Sequence, residues 1–205
     1  MIIAQNGILS EDFVSMQESL KPDIAIEVGA HAAEFSVEMA KRFGVKAIAF
    51  EANTVVYNRH KHNNSDLVSY LNYAVSDRDG IVYLNVHEDM LAGNNSIKQR
   101  ANHQNIATIE VQAYRLDTYF ADYDFANACL WIDVEGANRE VLTGAIETLK
   151  RCSSIFIETE DFSYWEDQWL TNDVISFLEE QGFQVLGSER VYEKQKNIIF
   201  VKKEQ

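Results

Sequence analysis

The chain has 205 residues, 46% hydrophobic and 24% charged, a globular balance at the length of one domain that excludes a disordered chain. Eighteen Lys and Arg against thirty-two Asp and Glu give a net charge of −14. That field repels phosphate backbones and anionic lipid heads, which argues against nucleic acid or membrane surfaces as general partners. Two cysteines make no disulfide framework, no run approaches the ~18 apolar residues of a membrane span, and Met1–Gly7 lacks the features of a signal peptide. The expectation is a soluble cytoplasmic chain with buried, reduced thiols. A helical extension over 1–22 precedes one domain over 23–205.

Ser10 to Leu20 reads as a short helix capped by Ser10, with Phe13, Met16 and Leu20 on one face and Lys21-Pro22 ending it. Ile24–Val28 is a short apolar run broken by Gly29, the pattern of a buried strand. Ala33 to Phe43 carries Phe35, Met39, Ala40 and Phe43 at helical spacing and stops at Gly44. Ala47 to Phe50 is a second buried strand, ending at Glu51. A polar helix is expected over 54–64, strand character over Leu67–Val75, a turn at Asp77–Gly80 and a strand over Ile81–Val86. Residues 87–105 are polar and Asn-rich, a variable loop of the length usually given to lids and binding loops. Ile109 to Leu116 resumes strand character. Leu130–Val134 is an apolar run around Asp133, Ala137 to Lys150 reads as one helix, and Ser154–Ile157 as a strand. A helix through Leu170–Leu178 and strands at Phe183–Leu186 and Ile198–Val201 close the chain. Strands alternating with helices, most of them short and continuously apolar, predict a doubly wound α/β sheet, with the last two strands able to pair antiparallel at an edge.

Ligands of such a sheet gather at the carboxyl ends of its strands. Four expected strands end in acid: Glu27 before Gly29, Glu51, Asp133 with Glu135, and Glu158 with Glu160. Carboxylates crowded at one rim are costly unless a cationic or polyhydroxyl ligand compensates them. Gly29 permits a tight turn, and Ala30, Ala32 and Ala33 are small enough for a ligand to approach the backbone. Glu51 follows Gly29 by 22 residues, the spacing at which an acid meets ribose hydroxyls. A pyrophosphate needs G-x-G-x-x-G against bare backbone, and this loop has one Gly and the acidic Glu27. It suits a ligand with an ammonium, a sulfonium and a ribose, and S-adenosylmethionine (SAM) has all three.

From about residue 23 to 160 the sequence resembles the FkbM-type SAM-dependent methyltransferases. Ile26-Glu27-Val28-Gly29-Ala30-His31-Ala32-Ala33-Glu34-Phe35 is similar to the family's first motif, D-x-G-A-N-x-G followed by an acid and an aromatic. Phe50-Glu51-Ala52 resembles its F-E-P, Asn72–Asp77 with Gly80 its segment after the third strand, and Leu116-Asp117 a recurrent L-D pair. Ile132-Asp133-Val134-Glu135-Gly136, followed by Glu140-Val141-Leu142 and Gly144-Ala145, is the most specific match.

The resemblance implies a class I methyltransferase-like, Rossmann-like fold: a doubly wound, mostly parallel sheet with an antiparallel edge strand. It implies SAM as cofactor and O-methylation of a hydroxyl on a sugar or small natural-product-like acceptor. Glu27, Gly29, Ala30 and His31 then belong to the methionine end, Glu51 and Ala52 to the ribose, Ser76 and Asp77 to the adenine side. Asp133 stands where donor and acceptor meet, and Asp133 and Glu135 are the candidate catalytic groups. His31 and His103 rank below them, His103 as a solvated loop residue. No metal is expected, since His31, Asp133, Glu158 and Glu160 have no compact ligand spacing. Ala33 replaces the motif's second Gly, where its methyl group would crowd the cofactor. Ala52 replaces Pro, His31 replaces Asn, Trp131 a frequent Lys, and Asn138 an acid. Two other classes stay open: a non-catalytic methyltransferase-like binding or assembly protein, and, disfavoured by the missing glycines, an NAD(P)-dependent oxidoreductase. Self-association is left undecided, and the acceptor is a small molecule or glycan.

Overall fold

The computed structural model describes residues 9–86, 91, 93–101 and 107–203. Helix α1 (Leu9–Leu20) leads into β1 (Ile24–Val28), α2 (Glu34–Phe43), β2 (Lys46–Phe50) and α3 (Thr54–His60). Then come β3 (Val68–Leu71), β4 (Ala74–Val75), β5 (Gly80–Val86), β6 (Ala107–Tyr114) and the short α4 (Leu116–Tyr119). The chain continues through β7 (Ala128–Ile132), α5 (Asn138–Thr143), α6 (Ile146–Lys150) and β8 (Cys152–Glu160), and ends with α7 (Thr171–Glu180), β9 (Phe183–Tyr192) and β10 (Gln195–Lys202).

Seven strands form the main sheet in the order β3-β2-β1-β7-β8-β10-β9. The first five run parallel, and β10 is antiparallel to both its neighbours. Strand order reverses between β1 and β7, so a crevice opens there at the carboxyl edge, between Gly29 and Asp133. The runs are apolar throughout because both faces are covered. Ile24, Ile26 and Val28 of β1 pack with Leu130, Ile132, Ile155 and Ile157 against Val141, Leu142, Leu149, Val174 and Leu178. The opposite face sets Ala25, Cys129 and Phe156 against Leu9 and Phe13 of α1 and Phe35 and Met39 of α2. Trp131 belongs to that face, stacked 3.7 Å from Phe156 and 5.1 Å from Phe35. Both cysteines are free and buried. No helix among the described residues is long and apolar enough to cross a membrane.

Three expectations are corrected. The strand expected over Leu67–Val75 is two strands in different sheets: β3 edges the main sheet, while β4 joins a separate three-stranded sheet, β4-β6-β5. Asn72 marks the break, its amide donating to Glu51 O at 2.9 Å and Ala52 O at 3.2 Å. The helix expected over 137–150 is broken into α5 and α6 at Gly144. A methyl group on Gly144 would lie 2.2 Å from Ser76 O, and its carbonyl accepts from Asp117 N–H at 3.0 Å. Asp117 then starts α6 anew, its carboxylate taking Thr148 N–H at 2.8 Å. Leu116 opens α4 instead of closing β6. Of the loop at 87–105, residues 87–90, 92 and 102–105 lie outside the described residues, and His103 with them.

Candidate active site

The turn after β1 is left-handed three times over, at Gly29 (φ 77), His31 (φ 44) and Ala33 (φ 59). Only the first is glycine. A side chain at such a φ costs on the order of 1–2 kcal/mol and persists where neighbours hold it. The neighbours here are specific. His31 N–H donates to Glu51 Oε2 at 2.8 Å, the Tyr70 hydroxyl donates to His31 O, and Asn63 Nδ2 donates to Ala32 O at 2.7 Å. Ala33 is fully buried, and its methyl group packs with Ala30 and Ala49 around Tyr70. It therefore packs into the core and is absent from the lining of the two spaces that Gly29 and His31 line.

Position relative to the strand ends separates the first two acids: Glu27 lies inside β1, whereas Glu51 lies one residue past the end of β2. Glu51, at the end of β2, faces the crevice, its carboxylate taking Asn53 N–H at 2.6 Å as well as His31 N–H. Burial pushes its pKa up to about 6. Glu27 points to the α1–α2 face, where Oε2 accepts Ser36 N–H in the first turn of α2 at 2.8 Å. Burial pushes it up to about 7.

The strongest electrostatic feature lies at the ends of β7 and β8. Carboxylate oxygens of Asp133, Glu135 and Glu158 lie within 4.8 Å of one another. Burial is the main cause of their raised pKa values, about 6 for Asp133, about 8 for Glu135 and about 9 for Glu158, with mutual repulsion adding to the last two. Three carboxylates this close do not all ionise at neutral pH. They retain protons among them or take up a cation, so this trio is where the described residues offer a hard cation oxygen ligands. Gln195 Nε2 donates to Glu158 Oε1 at 2.5 Å. Beneath them Glu160, raised to about 7 by burial, accepts from Gln168 Nε2 at 2.6 Å.

These groups line two adjoining spaces that share Gly29, His31 and Asp133. One, about 290 Å³, has apolar walls from Phe50, Val56, Tyr73, Val75, Leu84 and Ile97, with Glu51, Glu135 and Glu158 as its acids. The other, about 350 Å³, lies beside α1 with Glu27 and Glu34 over the stacked Phe35 and Trp131. Among the described residues neither has a Lys or Arg in its lining. This suits an apolar base and ribose in the first space and a positively charged sulfonium and ammonium near the junction, so the residues present fit SAM.

Of the residues singled out in the sequence, Gly29, His31, Glu51, Ala52, Asp133 and Glu135 line the first space, and Glu27 the second. Ala30 is buried behind the turn with Ala33. Ser76 and Asp77 are not lining residues: Ser76 is buried with its N–H on Tyr114 O, and Tyr73, Ala74 and Val75 stand there instead. Tyr164 is exposed, while Trp165 and Trp169 pack inward. Sequence reasoning missed Ser96, Tyr192 and Gln195, which arrive from an irregular segment and a hairpin turn with no local motif.

A seven-stranded sheet of this order, with the crevice at its switch point, is the class I methyltransferase-like, Rossmann-like fold. Solved structures agree in fold. Magnesium protoporphyrin IX methyltransferase from Synechocystis PCC 6803, solved with bound SAM, matches with a TM-score of 0.54 at 8% identity, over 95% of this chain and 77% of that one. Precorrin-6y C5,15-methyltransferase from Geobacter metallireducens GS-15 matches with a TM-score of 0.52 at 13% identity, over 99% and 93%. Residues 27–185 match the methyltransferase FkbM domain, and the chain belongs to that family. It is a SAM-dependent methyltransferase. No curated protein matches it in sequence.

Proposed function

We propose that this enzyme methylates a hydroxyl oxygen of a sugar or small natural-product-like acceptor, with Asp133 as the base. The observation that carries the reading is the convergence of Asp133, which both spaces share, with Glu135 and Glu158 of the first space. Bound SAM supplies an electrophilic methyl group on a sulfonium. The protein's part is alignment and proton management. Glu51, fixed by two backbone N–H groups, presents carboxylate oxygens to a ribose diol. Glu27, Gly29 and His31 border the methionine end, and Ala52 borders the ribose. Ser76 and Asp77 back the adenine side from behind Tyr73–Val75.

Asp133 would accept the acceptor's O–H proton on a carboxylate oxygen, while the bound cofactor would supply the methyl group that the acceptor oxygen gains in its place. A base whose pKa is held near 6 is ionised at neutral pH yet still accepts a proton readily. Glu135 and Glu158, raised higher, keep protons and serve as hydrogen-bond donors to neighbouring acceptor hydroxyls.

Calorimetric titration with SAM and S-adenosylhomocysteine is the first test. Micromolar binding is expected, weakened at least about tenfold by Glu51→Ala, the loss of a charge-assisted hydrogen bond. Methyl transfer from labelled SAM to a panel of hydroxylated and aminated sugars then identifies the acceptor atom. Asp133→Asn should lower kcat by about 100-fold or more while SAM still binds. Transfer only to amines would overturn the O-methylation reading.

A further inference from the structure

The segment 93–101, which lies between β5 and β6, makes contacts that methyl transfer as described does not use. It is fastened to the stretch after β8: Ala101 N–H donates to Tyr164 O and Glu166 N–H to Gln99 O, both at 2.9 Å, and Arg100 pairs with Trp165. Lys98 Nζ reaches across to Glu140 Oε1 at 2.8 Å and Asp167 O at 3.1 Å. Ser96 sits at the centre, buried, and exchanges backbone hydrogen bonds with Asn85 at 2.7 and 3.2 Å. Its hydroxyl accepts Lys98 N–H at 3.0 Å. The one proton that the hydroxyl carries goes to Glu135 O, at 2.6 Å.

We propose that Ser96 is a positioning residue, whose bond to the Glu135 carbonyl holds the left-handed Glu135–Gly136 turn and keeps the Glu135 carboxylate in the cleft. Its catalytic consequence rests on the role given to Glu135 under Proposed function. Glu135 has φ 41 and Gly136 φ 77, and a residue with a side chain stays at such a φ only where its surroundings over-determine it. Two contacts do so. Trp165 packs against Gly136 so closely that a methyl group there would lie 2.2 Å from its ring. Ser96 fixes the peptide on the other side, since the direction of the Glu135 carbonyl is set by the ψ angle that also aims the turn. Without the hydroxyl, that carbonyl faces a buried position with its donor gone, and the peptide gains by rotating towards another.

The test reads the sign of φ at Gly136, the angle that changes when the Glu135–Gly136 peptide rotates, from its backbone coupling constants and carbon shifts in the isotope-labelled chain. Positive φ is expected in the wild type and in Ser96→Thr, which keeps the hydroxyl, and is expected to be lost in Ser96→Ala. A positive φ retained in Ser96→Ala overturns the proposal. Should that variant not fold, Ser96→Cys, with its weak donor, is read against Ser96→Thr in the same way.

Turnover gives the second readout, with the sugar that the wild type methylates. Ser96→Ala should lower kcat at least about tenfold and Ser96→Thr restore it, while Ser96→Ala/Glu135→Gln falls no further than Glu135→Gln alone. Additive losses would count against Ser96 acting through Glu135. If Glu135→Gln turns over at the wild-type rate, the role given to Glu135 fails, and the sign of φ still decides the role of Ser96.

Discussion

At Gly29 no side chain can enter, because a methyl carbon there would lie 1.7 Å from Asp133 O. The glycine is demanded by the close passage of two strand ends, where Asp133 N–H also donates to Val28 O at 2.9 Å. Gly29→Ala must push β1 and β7 apart and should cost more than about 3 kcal/mol in urea unfolding. Ala33 is the opposite case. Ala33→Gly relieves about 1–2 kcal/mol of left-handed strain. It loses about 0.8 kcal/mol of buried methyl group and adds 0.5–1 kcal/mol or so of backbone entropy. Stability should therefore move by less than about 1 kcal/mol, and SAM affinity by less than about threefold, since the methyl group faces Tyr70. A marked gain in affinity would show that the methyl group does crowd the cofactor. The sequence made the glycine deficit legible at once. The direction of the Ala33 methyl group was not, because it depends on Tyr70 and Ala49, which are distant in sequence.

Four strand ends, those of β1, β2, β7 and β8, bring the acids to one rim, and this much was legible because each acid follows an apolar run. Which acids share a side was less so: Glu27 is held inside β1 on the α1–α2 face, while Glu51, of the same parity but past the end of β2, is held in the crevice by the His31 and Asn53 N–H groups. The helix period likewise could not reveal the break at Gly144, which is set by Ser76 and Asp117 from elsewhere in the chain. The second sheet was hidden because β4 is only two residues long. The gathered acids have a consequence for stability. Asp133, Glu160, Glu135 and Glu158 have native pKa values of about 6, 7, 8 and 9, above their ordinary 3.8 and 4.5. Between those limits the native state holds protons that the unfolded chain has released. The stabilisation is complete below about pH 4 and is lost as pH rises through the native values, so stability falls towards alkaline pH. Thermal unfolding should show Tm at least about 3 °C higher near pH 6 than near pH 9, the equivalent of about 1 kcal/mol for a chain of this size. Glu158→Gln, which keeps an amide where the proton was held, should flatten that slope. An unchanged slope would place the effect in the overall charge instead.

The whole molecule carries −14, and among the described residues its two adjoining spaces have no Lys or Arg in their lining, so overall field and local lining have the same sign. Composition alone had that sign right, though the reason to look for a cationic ligand was the crowding of acids at the strand ends. The focusing of the charge in one crevice required the fold, because acids from four strands meet only across the switch point of the sheet. SAM carries a net positive charge from its sulfonium, whereas S-adenosylhomocysteine, which lacks it, is neutral overall. Only the first should feel the field as a monopole. Salt shortens the screening length from about 30 Å at 0.01 M to about 8 Å at physiological strength, so SAM affinity should fall severalfold over that range and that of S-adenosylhomocysteine much less. The same charge difference predicts a pH effect. As Glu135 and Glu158 lose their protons around pH 8 and 9, the crevice gains negative charge next to the sulfonium position. SAM should then gain affinity relative to S-adenosylhomocysteine between about pH 6 and pH 9, while the protein itself loses stability. Parallel titrations of the two ligands at two salt concentrations and two pH values measure both effects. Identical dependence for the two ligands would mean that the trio lies too far from the sulfonium to sense it. Asp133 would then be too distant to serve as the base.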